Sequence, residues 1–424
     1  MGSRRLLISI TLLLCWTAVV EAAEWQDRLL DDYGLEVHGF VEGRGGYRLQ
    51  NDKDEKDMSI GELRLQGDVN RDFGWGILKV KGDLYGDRVE KEVNAELREL
   101  NLLFSPLDNT DVKAGRQTLT WGTGDLLFIN DLFPKDWESF FIGRDDEYLK
   151  APSDALKVSM YFDPVNIDFV YMPLFANSRY IDGERLSYWN PMLATIAGRH
   201  HLLDDDGKNR IFRDDALSVR LFKTLGSTEF ALYGYYGYWT TPEGFNPVSG
   251  KLVYPQLAVY GASFRKPLLG GIGNVEVGYY DSLQDSTGED PTIRNSESRL
   301  LAGFEREIAA NFTGGVQYYL EWMQDYDAYQ RSLTPGSPAR DEYRHLLTLR
   351  LTRMLLNQNL TLSLFVYYSP SDSDSYWRPK IKYKLNDFWQ AEAGANLFFG
   401  AEDYTFWGQF ADNTNAYVAL RYNF

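Results

Sequence analysis

The chain has 424 residues with 44 Lys and Arg against 61 Asp and Glu, and its net charge of −17 counts against nucleic acid and anionic lipid as principal partners. Cys15 is the one cysteine and lies in the N-terminal apolar run, so the mature chain has no disulfide, no cysteine metal site and no thiol nucleophile. Beyond that run no stretch approaches the roughly 18 apolar residues of a spanning helix, which excludes helical membrane insertion.

The first element in chain order is Met1-Gly-Ser-Arg-Arg followed by the apolar run Leu6 to Val20 and small residues to Ala22, the layout of a secretory signal peptide over residues 1–22. Residues 23–424 then read as a single domain, because no Pro/Gly/Ser linker or shift of composition divides them. From residue 34 onward apolarity alternates with a period of two. Leu63, Leu65, Gly67 and Val69 face one way against Glu62, Arg64, Gln66 and Asp68, and Leu78, Val80 and Leu84 do the same against Lys79, Lys81 and Asp83.

The count is about eighteen strands, from 34–49 to 413–424, with sixteen to twenty as its bounds. Short turns at 70–74, 106–109, 163–164, 225–226, 267–271, 309–310, 356–357 and 386–387 alternate strictly with long connections. This predicts an all-β fold, a closed antiparallel transmembrane β-barrel with short periplasmic turns and long extracellular loops. An aromatic content of 15%, with 28 Tyr and 11 Trp, fits girdles of amphipathic rings at two membrane interfaces. In the last strand Val418, Leu420, Tyr422 and Phe424 share a face opposite Tyr417, Arg421 and Asn423. It resembles the final strand of bacterial outer-membrane barrels, which implies that Phe424 is an assembly signal.

Gly115-Arg-Gln-Thr-Leu-Thr-Trp-Gly122 leads into Asp125, then Asp131, Pro134 and Asp136, then the acidic cluster Asp145 to Glu147 and Pro152. This stretch resembles a family of large, mostly uncharacterised Gram-negative outer-membrane porin-like barrels with a GRQ-x3-WG-x2-D motif, matched here by Arg116, Gln117, Trp121, Gly122, Asp125, Asp131, Pro134 and Asp136. The resemblance implies an outer-membrane channel and names no substrate. Independently, the long loop at about 122–153 carries Phe128, Ile129, Phe133, Trp137, Phe140, Phe141 and Ile142, an apolar load that argues for folding into the barrel mouth as a constriction. Packing on the rim or on a neighbouring subunit is the alternative.

The other long loop, about 173–212, contains His200-His201 and Asp204-Asp205-Asp206-Gly207, but lacks the spacing of a zinc or calcium site. Gly-x-Ser-x-Gly is absent and no Ser/His pairing stands out, so no catalytic residue, metal or cofactor is expected and the chain reads as a non-enzyme. Lys79, Lys81, Arg98, Arg350, Arg378, Lys380, Lys382 and Lys384 fall on the inward, pore-lining face. The last four, two residues apart on one strand, form an expected cation ladder with a pitch of roughly 7 Å, favourable to anions.

The expectation is therefore passive diffusion of small polar or anionic solutes through an outer-membrane porin-like channel. Two alternatives stand beside it: a substrate-specific channel for a larger molecule such as an acidic polysaccharide, since alginate-export barrels share the eighteen-strand architecture, and a plugged structural or adhesive barrel. The expected partners are outer-membrane lipid and lipopolysaccharide, the barrel assembly machinery and small solutes, without nucleic acid; a homo-oligomer is compatible with this class.

Overall fold

The computed structural model describes residues 25–424, so the expected signal peptide, residues 1–22, lies outside the described residues. Eighteen strands form one antiparallel sheet that closes on itself. In chain order they are β1 Leu35–Arg48, β2 Met58–Asp72, β3 Gly76–Asp87, β4 Glu92–Leu107, β5 Thr110–Thr118, β6 Pro152–Met160, β7 Asn166–Met172, β10 Ala216–Leu225, β11 Thr228–Tyr238 and β14 Gln256–Leu268, continuing with β15 Gly271–Ser282, β16 Glu297–Ala309, β17 Phe312–Met323, β18 Tyr343–Leu355, β19 Leu360–Ser369, β20 Asp374–Lys384, β21 Trp389–Gly400 and β22 Asn415–Asn423. Two loop hairpins, β8 Tyr188–Asn190 with β9 Thr195–Ala197 and β12 Gly244–Asn246 with β13 Lys251–Val253, stand outside the barrel sheet. Each barrel strand pairs with its neighbour along the chain, and Phe40–Arg48 of β1 pairs with Asn415–Asn423 of β22 to close the ring.

The alternation sets which face each side chain takes. On β22, Val418 and Leu420 point outward and are 62% and 47% exposed, while Tyr417 and Ala419 are buried inside. On β2, Leu63 and Leu65 are exposed outside, and Glu62, Arg64 and Gln66 are buried inside. A one-residue slip would invert both sets, so the pattern pins the register.

Eight short turns lie at one end of the barrel, as the sequence predicts. The turn between β14 and β15 is Leu269-Gly270 with φ of 49° and 74°, the doubly left-handed geometry that matches strand twist. The other end carries loops, but two of the connections expected to be long, 88–91 and 370–373, are tight turns. Side chains close them: Asp87 accepts from the backbone N–H of Val89, and the Asp372 N–H donates to Ser369.

Residues 25–33 are helical and lie at the short-turn end, where the Trp25 ring is 6.2 Å from that of Phe424. Phe424 continues the seam through two backbone hydrogen bonds of 3.0 Å with Gly39. A Cβ at Gly39 would stand 2.6 Å from the Phe424 ring, so glycine there gives the terminal ring its seat.

The barrel interior is filled over much of its loop side. Ile129, Phe133, Phe140, Phe141 and Ile142 of the 119–151 connection share one buried cluster with Phe175, Leu186 and Tyr188 of the 173–215 connection, with Trp239 and Tyr254, and with inward rings of the wall.

Candidate functional site

The 119–151 connection leaves β5, crosses the lumen and returns to β6, and its sequence explains how. Asp136 accepts a hydrogen bond from the Ser139 N–H and starts a short helix, Trp137–Ile142, which Gly143 ends at φ 84°. Phe141 then meets Tyr376, Phe398, Trp407 and Phe410 at ring-centroid distances of 5.6, 5.5, 5.9 and 5.0 Å. These rings bury the apolar load that the sequence concentrates here.

On either side of the helix the loop is held by polar contacts to opposite walls. Toward β15–β19, Glu276 accepts from the backbone N–H groups of Thr123 and Gly124 and from the Asn130 side chain, Asp125 pairs with Arg350, and the Tyr367 hydroxyl donates to the Leu126 carbonyl at 3.0 Å. Toward β20–β22 and β1–β4, Arg144 pairs with Glu62 at 2.6 Å, Asp145 with Arg421 at 3.2 Å, and Glu147 with Lys81 at 2.7 Å. Arg44 donates to the Gly143 carbonyl at 2.6 Å, and Arg98 to the carbonyls of Glu147 and Lys150.

Asp146 stands between Arg378 at 2.9 Å and Lys380 at 2.5 Å. Burial pushes its carboxyl up, but the two cations outweigh burial and hold it well below the usual carboxylate range. Asp145 follows the same balance, with burial opposed by Arg421, Lys382 and Lys380 and a lowered result.

The eight motif residues divide by position. Trp121 packs on Phe133 at 5.1 Å, Asp131 bridges Thr120 at 2.8 Å and Lys135 at 3.0 Å, and Asp136 pairs with Arg179 at 3.0 Å while capping the helix. Pro134 is buried and its carbonyl accepts from Ala151 at 3.1 Å. Gly122 adopts φ 84° beside Glu276, and Asp125 takes the Arg350 pair. Gln117 is fully buried inside the wall and donates to the Ala155 carbonyl at 3.0 Å. Arg116 departs from the group: it lies on the outer face of β5, paired with Asp154 at 2.8 Å, because it alternates with inward Gln117.

The pore-lining candidates all lie on the inward parity, yet each meets an acid. Lys79 reaches Asp68 at 3.5 Å and Glu99 at 3.6 Å, Arg98 reaches Glu96 at 3.9 Å, and Lys382 reaches Asp145 at 3.8 Å. Lys384 pairs with Asp387 of the adjacent turn at 3.0 Å. The expected ladder of four mutually reinforcing cations is therefore corrected: Asp145 and Asp146 come from a loop far away in sequence, and Arg378 is also covered by the Phe140 ring at 3.8 Å.

Sequence reasoning missed Glu276 and Glu62 as the loop's main acceptors. Their signal was present, since each is an acid on the inward parity of an alternating strand. In the 173–215 loop, Asp204 pairs with Lys251 at 2.8 Å, and no cluster of metal-ligating side chains occurs among the described residues.

No protein family and no curated protein matches the chain in sequence. Its fold is similar to that of Pseudomonas aeruginosa OccK11 (OpdR), with a TM-score of 0.53 at 9% identity over 92% of this chain and 96% of that one. Salmonella typhi OmpF in complex with daunomycin aligns with a TM-score of 0.46 at 9% identity, covering 92% and 97% of the two chains. The chain has the closed antiparallel barrel fold of the outer-membrane porins.

Proposed function

We propose that the chain is an outer-membrane, porin-like channel for small polar solutes, anionic ones included, whose lumen is narrowed by the 119–151 loop. The observation that carries this reading is the division of the barrel wall: an exposed apolar outer face suited to lipid, and an inner face where acids and bases alternate around the loop. The family resemblance carried by Gly115 to Asp125 supports the same reading, as does the secretory layout of residues 1–22.

A plugged barrel is the second reading, favoured by the packing of Phe175, Tyr188 and Trp239 from other loops onto the same interior cluster. Planar-bilayer recording of the purified mature protein separates the two. A channel gives discrete unitary currents with a defined reversal potential in a salt gradient; a silent membrane containing folded, inserted protein overturns the channel.

A further inference from the structure

Four consecutive hairpins on one side of the barrel share a feature that the interior does not have. The strands running into their turns, β10, β14, β16 and β18, carry Lys223, Lys266, Arg306 and Arg353 close to the turn end. These four share the strand parity of outward apolar residues, Leu221, Leu268, Ile308 and Leu347, so they stand on the outer face. The residues paired across from them are Phe230, Gly273, Gly271, Gly314, Phe312 and Leu362, none of them acidic.

No carboxylate among the described residues pairs with any of the four, whereas Arg350, Arg378, Lys380 and Lys382 in the lumen all have one. Lys223 and Arg353 donate only to backbone carbonyls, of Asp163 and Ala310. Placed on every second strand, the cations are roughly 10 Å apart, near the Debye length of about 8–10 Å, so their potentials overlap. Next to Lys223 an apolar groove of about 420 Å³ runs along the outer face between Leu221, Leu232, Ala262, Phe264 and Val277.

We propose that this arc is a docking collar for anionic glycerophospholipid, with headgroup phosphates on Lys223, Lys266, Arg306 and Arg353 and one acyl chain in the groove beside Lys223. The inference rests on the membrane reading above. Two observations select the occupant: unpaired cations call for an anion, and the groove beside one of them calls for a hydrocarbon chain, which a free phosphate does not have. The net charge of −17 argued against anionic lipid, but of the acids next to the arc Glu305 and Glu307 take the inward parity of β16 and Glu229 pairs with Arg220, so the outer face presents the cations.

The test reconstitutes the full mature chain into vesicles of phosphatidylcholine with and without phosphatidylglycerol, re-extracts it in mild detergent and quantifies retained lipid by mass spectrometry. Phosphatidylglycerol should be enriched several-fold over its bulk fraction around the native protein. The combined variant Lys223→Gln, Lys266→Gln, Arg306→Gln and Arg353→Gln should lose that enrichment while keeping the gel mobility of a folded barrel. Lys266→Gln with Arg306→Gln, which removes no hydrogen bond or ion pair among the described residues, is the milder variant should the combined one not fold; it should lose part of the enrichment. Ala262→Phe, which fills the groove, should lower retention with all four cations intact. No enrichment in the native protein, or unchanged enrichment in a folded variant, overturns the collar. Failure to insert into either vesicle overturns the membrane reading instead.

Discussion

At residues 137–142 the inward loop is held by rings, and at residues 143–150 it is held by charges. Phe140, Phe141 and Ile142 are buried among aromatic side chains of β20, β21 and the 401–414 connection. A few residues later Arg144, Asp145, Asp146 and Glu147 each find a partner of opposite sign on the wall. The difference assigns separate tasks: apolar burial anchors the segment regardless of ionic conditions, while the ionic arm sets which charges face the lumen. Only the second should respond to salt, acid or charge reversal.

The largest expected effect tests the apolar half. Phe141→Ala removes a ring that meets Tyr376, Phe398, Trp407 and Phe410 of the wall and the 401–414 connection as well as Trp137 and Phe140 of its own helix, and should cost about 3–5 kcal/mol of local packing. The barrel should still run as a folded species on an unboiled gel, while protease nicking near residues 119–151 and current noise both rise. A quiet, uncut channel would mean that the charges alone hold the segment.

Asp146→Asn tests the ionic half. It strips Arg378, whose side chain is 8% exposed, of its carboxylate, at a cost of about 1–3 kcal/mol and toward the lower end because Asp146 is 45% exposed. Freed positive potential should move the reversal potential toward anions with unitary conductance changed less than twofold. Acid acts on the same groups with a definite sign. Asp145 and Asp146 have carboxyls lowered in the folded state, so their contribution is complete above the ordinary carboxylate value of about 3.9 and is lost only as pH falls through the lower native values. Selectivity should therefore stay flat as pH is lowered from 7 to 5 and fail only in stronger acid; a transition inside that window would point to other groups. The smallest effect belongs to Lys384→Gln: both it and Asp387 are exposed, at 52% and 90%, and stability and selectivity should hardly move.

The strand plan was legible because period-two alternation and turn residues are local signals. The limits of β1, Leu35 and Arg48, and of β22, Asn415 and Asn423, fall within two residues of those read from sequence. The tight connections at 88–91 and 370–373 were missed because side-chain closure by Asp87 and Ser369 leaves no mark on hydrophobic periodicity. The neutralisation of Lys380 and Arg378 was hidden for another reason: Asp146 lies more than two hundred residues away in the chain, and parity tells which face a residue takes but not what faces it. Arg116 shows the converse, since its motif neighbours turn inward while strand alternation sends it outside.

The pairing of Phe40 with Asn423 carries a consequence for how the molecule is made. Every other barrel strand meets a partner that is its neighbour in the order of synthesis, so hairpins can zip as they emerge. The first strand must wait for the last. Until residues 415–423 arrive, a growing sheet has two open edges with unpaired N–H and C=O groups, each a template for a stray strand. A chain lacking its final strand should therefore accumulate as aggregates whose amount rises with expression rate, however well its hairpins form.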